Sequence, residues 1–338
     1  MTLHDRNPTP YAAVRPATSA ISLRDRRDHF LTRLGIGRNR RRVDPGLYAL
    51  GNPTPASLVF VTANYTLSFD ALRSNLPGID AYILVLDTKG INVWCAAGKG
   101  TFGTDELVHR IKETSLHQIV DHRKLILPQL GAPGVAAHVV KQQSGFNVEY
   151  GPVRADDLPE YLRNGEATPE MRRVRFRLRD RLILVPVELV QGLFLMFVPV
   201  IVLFLIGGYL PAVAAVAAFL AGVVLIPILL PWIPTPNFST KGLVLGGIVA
   251  LPFAAAVFLQ GTDGSLWIRL GGALAYLLVL PPVTAFLSLN FTGATTFTSR
   301  TGVKREIFAY IPVMAWMFGV GLVLSVGVVL AGLLGGVS

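Results

Sequence analysis

The stretch Leu58-Val59-Phe60-Val61-Thr62 and, some twenty residues on, Ala81-Tyr82-Ile83-Leu84-Val85-Leu86-Asp87 decide how the first half of the chain folds. Each run is apolar at every position but the last, with a helix-period stretch near Phe69–Asn75 between them and another near Thr104–Leu116 beyond the second. A strand with no polar face must be covered on both sides, and parallel sheets flanked by helices provide that cover. The runs Lys124–Leu127 and Phe146–Tyr150, separated by a helix near Val135–Gln142, continue the alternation. The pattern predicts a Rossmann-like α/β domain with a parallel sheet over residues 46–166. Ligands of such sheets bind beyond the carboxyl ends of the strands, so the loops after Thr62, Asp87, Leu127 and Tyr150 are candidate sites.

Outward from that core the composition changes abruptly. Of 338 residues 15% are charged, against about 25% in ordinary soluble chains. Beyond Arg181 the only charged residues are Glu188, Lys241, Asp263, Arg269, Arg300, Lys304, Arg305 and Glu306. Apolar segments at 182–205, 210–230, 243–259, 267–289 and 311–334 are each long enough to cross a hydrocarbon core of about 30 Å as a helix. A five-helix, all-α transmembrane domain over 182–338 is therefore expected. With the α/β domain in the cytoplasm, six arginines between Arg172 and Arg181, then Lys241, then Arg300, Lys304 and Arg305 fall on that side. The opposite loops, Ile206–Tyr209 and Gln260–Leu266, carry no Lys or Arg, which satisfies the positive-inside rule. This gives a multi-pass protein of the cytoplasmic membrane with its C-terminus outside. Glu188, Gln191 and Arg269 are the polar exceptions within the spans, with snorkelling expected for the two charged ones. Pro186, Pro199, Pro227, Pro252 and Pro281-Pro282 are expected to kink helices.

Residues 1–45, rich in Arg, Pro and Thr and without the apolar core of a signal peptide, read as a flexible basic arm. Ile21–Leu34 has the makings of a short amphipathic helix, with Phe30, Leu31 and Leu34 on one face. Residues 167–181 read as a basic linker. The net charge of +10 is concentrated in Arg24–Arg42 and Arg172–Arg181. Such runs invite a nucleic-acid reading, but basic residues beside a first span meet anionic headgroups, so membrane lipid and not nucleic acid is the expected partner.

Chemistry concentrates in Asn92-Val93-Trp94-Cys95-Ala96-Ala97-Gly98-Lys99-Gly100-Thr101-Phe102-Gly103. Gly98, Gly100 and Gly103 form G-x-G-x-x-G ahead of a helix, a weak dinucleotide signal that here follows a later strand than the fingerprint requires. The competing reading centres on Cys95, the only cysteine. A lone cysteine is commonly a small buried hydrophobe. Here Trp94 stands beside it, Ala96-Ala97-Gly98 after it suit a helix with one thin face against a flat ligand, and Lys99 lies one turn on. Helix N-termini and neighbouring cations favour the thiolate, the metal-binding form. A single cysteine also excludes a disulfide framework and an iron–sulfur cluster built from cysteines of this chain.

The string Asn92 to Lys99 closely resembles the signature of the mercury-methylating corrinoid proteins (HgcA), whose soluble part is related to the corrinoid domain of the acetyl-CoA pathway corrinoid iron–sulfur protein. The resemblance extends over the α/β domain, the five spans and the polar loop Asn290–Ser299. It implies a cobalamin-type corrinoid held base-off, with Cys95 on a cap helix as axial cobalt ligand and catalytic residue. It further implies cofactor contacts from Thr62 and from Asn92, Val93, Trp94, Cys95, Ala96, Ala97, Gly98 and Lys99. By location, Gly131, Ala132 and Gly134 offer side-chain-free backbone to the corrin, a plain Gly-Pro turn being the competing reading. The implied reaction moves a methyl group from methyl-Co(III) corrinoid to inorganic Hg(II), giving methylmercury, thiolate donation suiting transfer to an electrophile. The implied partners are a methyltetrahydrofolate-linked methyl donor and a ferredoxin-like protein with two [4Fe–4S] clusters as reductant. Two other functions compete: a corrinoid methyl carrier of one-carbon metabolism, and a membrane transporter or receptor whose α/β domain binds a ligand.

Overall fold

Each apolar run becomes a strand of one six-stranded sheet in the computed structural model, which describes residues 14–260, 265–295 and 300–335. The strands are β1 (Arg15–Ala17), β2 (Gly46–Leu50), β3 (Val59–Ala63), β4 (Ala81–Leu86), β5 (Lys124–Leu127) and β6 (Asn147–Tyr150), in the order β1-β2-β4-β3-β5-β6. β4, β3, β5 and β6 run parallel, as the sequence predicts. The sheet is nevertheless mixed: β2 lies antiparallel to β4 across five residue pairs, and β1 runs parallel to β2 at the edge. A purely parallel sheet is thus corrected by an edge built from the segment preceding the first predicted strand.

Helices α1 (Leu23–Arg33), α2 (Thr66–Ser74), α3 (Val93–Lys99), α4 (Thr104–Glu113), α5 (Leu116–Ile119), α6 (Ala137–Ser144) and α7 (Leu158–Asn164) complete this unit. Strand alternation divides its interior into two cores. Val59, Val61, Ala63, Leu84, Leu86, Leu125 and Leu127 meet α3, α4 and α6 on one face, while Phe60, Ile83, Val85 and Ile126 meet α2 and α7 on the other.

Three expectations about the flanks are corrected. Residues 14–45 are no loose arm, because β1 joins the sheet and α1 is tied down by charge. Arg73 of α2, 7% exposed, donates to Asp25 Oδ2 (2.9 Å), Asp70 Oδ1 (2.6 Å) and the carbonyls of Thr18 and Ala20 (2.7 and 2.6 Å). His29 Nε2 lies 2.7 Å from Asp70 Oδ2, and the apolar face assigned to α1 stays largely unused, with Phe30 63% exposed. An ion-pair anchor leaves no apolar periodicity to read. Nor do residues 167–181 form a linker: Ala167 and Met171 are buried in the α2/α7 core, and the chain divides into two compact units after Arg175.

The second unit, Phe176–Ser338, holds α8 (Leu178–Leu182), α9 (Val185–Gly207), α10 (Tyr209–Leu220), α11 (Ile226–Leu229), α12 (Phe238–Gln260), α13 (Leu266–Ser288) and α14 (Arg300–Gly335). A π-helical turn at Ala221–Leu225 joins α10 to α11. Five helical segments, Leu178–Gly207, Tyr209–Leu229, Phe238–Leu259, Leu266–Gly293 and Thr301–Gly332, are long and apolar enough to cross a membrane. They coincide with the predicted spans but start earlier at α12 and α14, whose first turns are helical yet polar. Pro199, Pro252 and Pro281-Pro282 lie inside helices, and Pro227 follows the π-helical turn within the segment Tyr209–Leu229, whereas Pro186 occupies a first turn, where a missing N–H has no helical partner to lose, so it marks a start and not a kink. Gly242 brings α12 onto α13, since a Cβ there would lie 2.3 Å from Ala285 Cα. Glu188 accepts from Asn290 Nδ2 at 3.0 Å, and Arg269 Nε donates to the Phe258 carbonyl at 2.7 Å, closing the end of α12. Asp263 and the last four residues of the Asn290–Ser299 loop lie outside the described residues.

Candidate functional site

The chain leaves β3 to form β4 on one side and returns past β3 to form β5 on the other, so the β3/β5 junction is the topological switch point of the parallel strands. A crevice beyond the strand ends is expected there, and an open cleft of about 220 Å³ occupies it. Phe60, Val61 and Thr62 of β3 and Ile126 and Leu127 of β5 form its floor. Ser68 and Leu72 of α2 close one side, Asn92, Val93 and Trp94 at the head of α3 another, and Pro128, Leu130, Gly151 and Pro152 the rim. The lining is mostly apolar with a few convergent polar groups, the usual make-up of a small-molecule site.

The head of α3 is fixed by its own sequence. Asn92 is the N-cap, its Oδ1 accepting from the Cys95 backbone N–H at 2.9 Å. Gly100 ends the helix in the left-handed conformation, φ +83°. Val93, Ala96 and Ala97 point into the sheet core, while Trp94 is 36% exposed. Cys95 is half-buried. Its neighbour is Tyr65, the residue before α2: burial pushes the Tyr65 phenol up, the Arg38 guanidinium 5.6 Å from the ring centroid opposes this, and the Cys95 side chain adds to the rise.

The structure therefore gathers only some of the predicted residues. Thr62, 3% exposed, Asn92, Val93 and Trp94 line the cleft, and Cys95 follows directly on the same short helix without lining it. The small residues Ala96 and Ala97 serve packing and present no thin face to a ligand, and Gly98 and Lys99 are exposed at the far end of α3. Gly131, Ala132 and Gly134 do not line the cleft either. A Cβ on Gly134 would lie 2.1 Å from the Phe102 carbonyl oxygen and 3.0 Å from Ala97 Cα, and one on Gly131 would lie 2.5 Å from the Phe102 ring. These glycines let their loop press against the foot of α3. Gly98, Gly100 and Gly103 join two helices, α3 and α4, so the strand–turn–helix context of a dinucleotide fingerprint is absent. Ser68, Leu72, Pro128 and Leu130 were not identified from the sequence, although the strand-end rule pointed to the loops after Leu127 and Tyr150.

Among the described residues no group of three or more His, Cys, Asp or Glu comes together as a metal cage. A switch-point cleft beside a capped, cysteine-bearing helix defines the class: an α/β domain on a mixed sheet with a cleft at its switch point, followed by a helical unit with five long apolar helical segments.

Comparison with known proteins narrows that class. Residues 37–162 match the family model described as the CO dehydrogenase/acetyl-CoA synthase delta subunit. The chain is 34% identical over 127 residues to the acetyl-CoA decarbonylase/synthase complex subunit gamma of Methanopyrus kandleri, covering 37% of this chain and 27% of that one. It is 32% identical over 123 residues to the subunit of the same name from Archaeoglobus fulgidus, covering 36% and 26%. To the corrinoid/iron-sulfur protein large subunit of Moorella thermoacetica it is 27% identical over 124 residues, covering 36% and 27%. The chain thus spans about a quarter of the length of these relatives, and the matched part is the α/β unit.

Proposed function

We propose that the α/β unit binds a cobalamin-type corrinoid in the switch-point cleft and presents its methyl group for transfer. The carrying observation is the junction of that cleft with the head of α3, where Asn92, Val93 and Trp94 line the cavity and Cys95 follows. The donor set suits such a group: a metal in a macrocycle brings four ligands of its own and asks the protein for one soft donor, which Cys95 offers. The mainly apolar lining, with Thr62, Ser68 and Asn92 as polar points, suits a large ring fringed by amides. When bound, the corrinoid supplies the cobalt–carbon chemistry, and the protein sets position and electronics. Thr62 and Asn92 would hold the ring edge, Trp94 would shield it from water, and Cys95, next along the helix that the Asn92 cap starts, would offer its sulfur to the metal. The base-off state follows from giving Cys95 that position.

The acceptor divides this reading. The relatives, acetyl-CoA decarbonylase/synthase and corrinoid/iron-sulfur protein subunits, support a methyl carrier of one-carbon metabolism. Cys95 and the Asn92–Lys99 signature favour Hg(II), because a thiolate pushes electron density outward and so assists transfer to an electrophile. With one cysteine in the chain, electrons for turnover come from a partner, a ferredoxin-like protein in the mercury reading, and methyl groups from a methyltetrahydrofolate-linked donor. The five apolar helices anchor the unit in the cytoplasmic membrane, with the α/β unit on the cytoplasmic side and the C-terminus opposite.

The test is the absorbance and EPR spectrum of the full chain reconstituted with cobalamin, beside Cys95→Ala. A thiolate-to-cobalt signature present in the first and lost in the second is expected; a protein that takes up no pigment sinks the reading. Methyl transfer to Hg(II), compared with transfer to a thiol acceptor, then separates the two acceptors.

A further inference from the structure

Asn64 follows β3 directly and is 1% exposed. Its backbone N–H donates to the Leu86 carbonyl at 3.0 Å and its carbonyl accepts from Val43 N at 2.9 Å, so its position is set from two sides. The side chain faces the loop Asp87–Ile91 that leads from β4 to α3. Oδ1 accepts from Thr88 N (3.1 Å) and Gly90 N (2.9 Å), and Thr88 Oγ1 lies 2.8 Å from it. Nδ2 donates to Asp87 Oδ1 at 3.0 Å. The Thr88 hydroxyl also lies 2.6 Å from the Ile91 carbonyl, so its single proton serves one oxygen at a time.

The loop conformation explains why an amide stands there. Lys89 and Gly90 both take positive φ, +59° and +74°. Successive left-handed residues turn backbone N–H groups inward and form a concavity that demands an acceptor. A leucine of equal size would take away the acceptor of the Gly90 N–H, while Thr88 N keeps the Leu86 carbonyl at 3.1 Å and the Thr88 hydroxyl keeps that of Ile91. An aspartate would satisfy the loop's donors but would set its second oxygen against the Asp87 carboxylate. Only an amide offers an acceptor to the loop and a donor to Asp87. The next residues are Asn92, whose side chain caps α3, and Cys95, whose N–H it holds.

We infer that Asn64 is the positioning residue for Cys95: it fixes the loop from which α3 starts, and with it the place of the sulfur. This rests on the corrinoid reading only in making that place matter to the metal. Because Cys95 is the sole thiol in the chain, its alkylation reports on its surroundings with no cofactor present. Four full-length variants test the inference: Asn64→Ala, Asn64→Asp, Asp87→Asn and the exchange Asn64→Asp/Asp87→Asn, which restores one amide facing one carboxylate.

Asn64→Ala and Asn64→Asp are expected to alter the alkylation rate of Cys95 by about tenfold, the equilibrium factor of one buried hydrogen bond. Loaded with cobalamin, they are expected to keep the pigment and lose the thiolate-to-cobalt signature. The exchange is expected to recover both within about twofold, allowing for imperfect additivity of neighbours. Should either single variant misfold, recovery by the exchange still supports the role. A folded exchange protein that behaves like Asn64→Asp overturns it, as do single variants with wild-type alkylation. If wild type binds no cobalamin, the corrinoid reading falls while the alkylation comparison still decides the role of Asn64.

Discussion

The two units hide opposite things. In the α/β unit the polar side chains near the cleft shape the backbone that leads to it: buried Asn64 fills a loop of inward N–H groups, and half-buried Asn92 starts α3. In the helical unit the buried polar side chains mend helix ends. Ser239 N, in the first turn of α12, donates to Glu306 Oε1 at 2.6 Å, and Arg181 Nη1 donates to the Pro227 carbonyl near the end of α11 at 3.1 Å. Apolar surface shows the same contrast, with Phe194 81%, Trp267 80% and Trp316 76% exposed in the second unit. One unit spends its internal polarity on shaping a cleft, whereas the other, whose helices are long and apolar enough to cross a membrane, spends it on its own backbone.

The largest effect within that contrast is expected at Arg73. Breaking a buried ion pair by removing one partner leaves the other charge uncompensated, at a cost of about 3–5 kcal/mol. Arg73→Ala leaves Asp70, 3% exposed, with His29 as its remaining side-chain partner, which puts the cost toward the lower end of that range, and releases the carbonyls of Thr18 and Ala20. A fall in melting temperature, with new proteolytic cuts between residues 14 and 36, is the expected outcome. Unchanged resistance to protease would mean that the sheet alone holds the N-terminal segment.

Gly134→Ala comes next. The added Cβ meets backbone at the Phe102 carbonyl and Ala97, which cannot swing aside as a flexible side chain could. Overpacking of this kind costs about 1–3 kcal/mol. Because the clash falls on α3, faster alkylation of Cys95 should accompany the loss of stability. Destabilisation without any change at Cys95 would separate the loop from the site.

The same contrast explains what the sequence disclosed. Strands β3 to β6 were legible because burial on both faces leaves unbroken apolar runs, and the five long helices because lipid demands length and hydropathy. β1, β2 and the docking of α1 were not legible, since their partners are supplied by hydrogen bonds and by Arg73, some fifty residues away in sequence. Asn92 could be read as a cap from its place before Val93. Nothing about Asn64 announces itself, for its meaning lies in a loop more than twenty residues on. Ala96 and Ala97 are buried in the sheet core, a place the sequence leaves open because small residues ease close approach equally to a ligand or to a core.

In the helical unit, Glu306→Leu removes the acceptor for Ser239 N and Oγ, both buried against it. Leaving such donors unpaired costs about 1–3 kcal/mol. The expected result is a lower unfolding temperature in detergent with cobalamin uptake unchanged, since the relatives match only the α/β unit. Loss of uptake would break the division of labour drawn above.

The smallest effect is a pH dependence at the sheet edge. Burial pushes the Glu149 carboxyl up, but hydrogen bonds from Lys124 and Tyr161 and the charges of Lys124 and Arg172 outweigh it and hold the group below its usual value. Lys124 Nζ lies 2.5 Å from Glu149 Oε2, reaching diagonally between β5 and β6, where Lys124 itself pairs with Asn147. A carboxyl depressed in the folded state binds fewer protons there than in the unfolded chain. Its contribution is therefore complete above the unfolded value near 4.5 and disappears as pH falls through the lower folded value. Both side chains are partly exposed, 45% and 34%, so solvent screening keeps the contribution to about 1 kcal/mol or less. Melting curves of wild type and Glu149→Gln should differ at pH 7 and converge as pH falls below the unfolded value and through the lower folded one, where the carboxylate is titrated. Curves that stay equally far apart at all pH values would place the value of Glu149 in its hydrogen bond to Tyr161, which the glutamine oxygen preserves, and not in its charge.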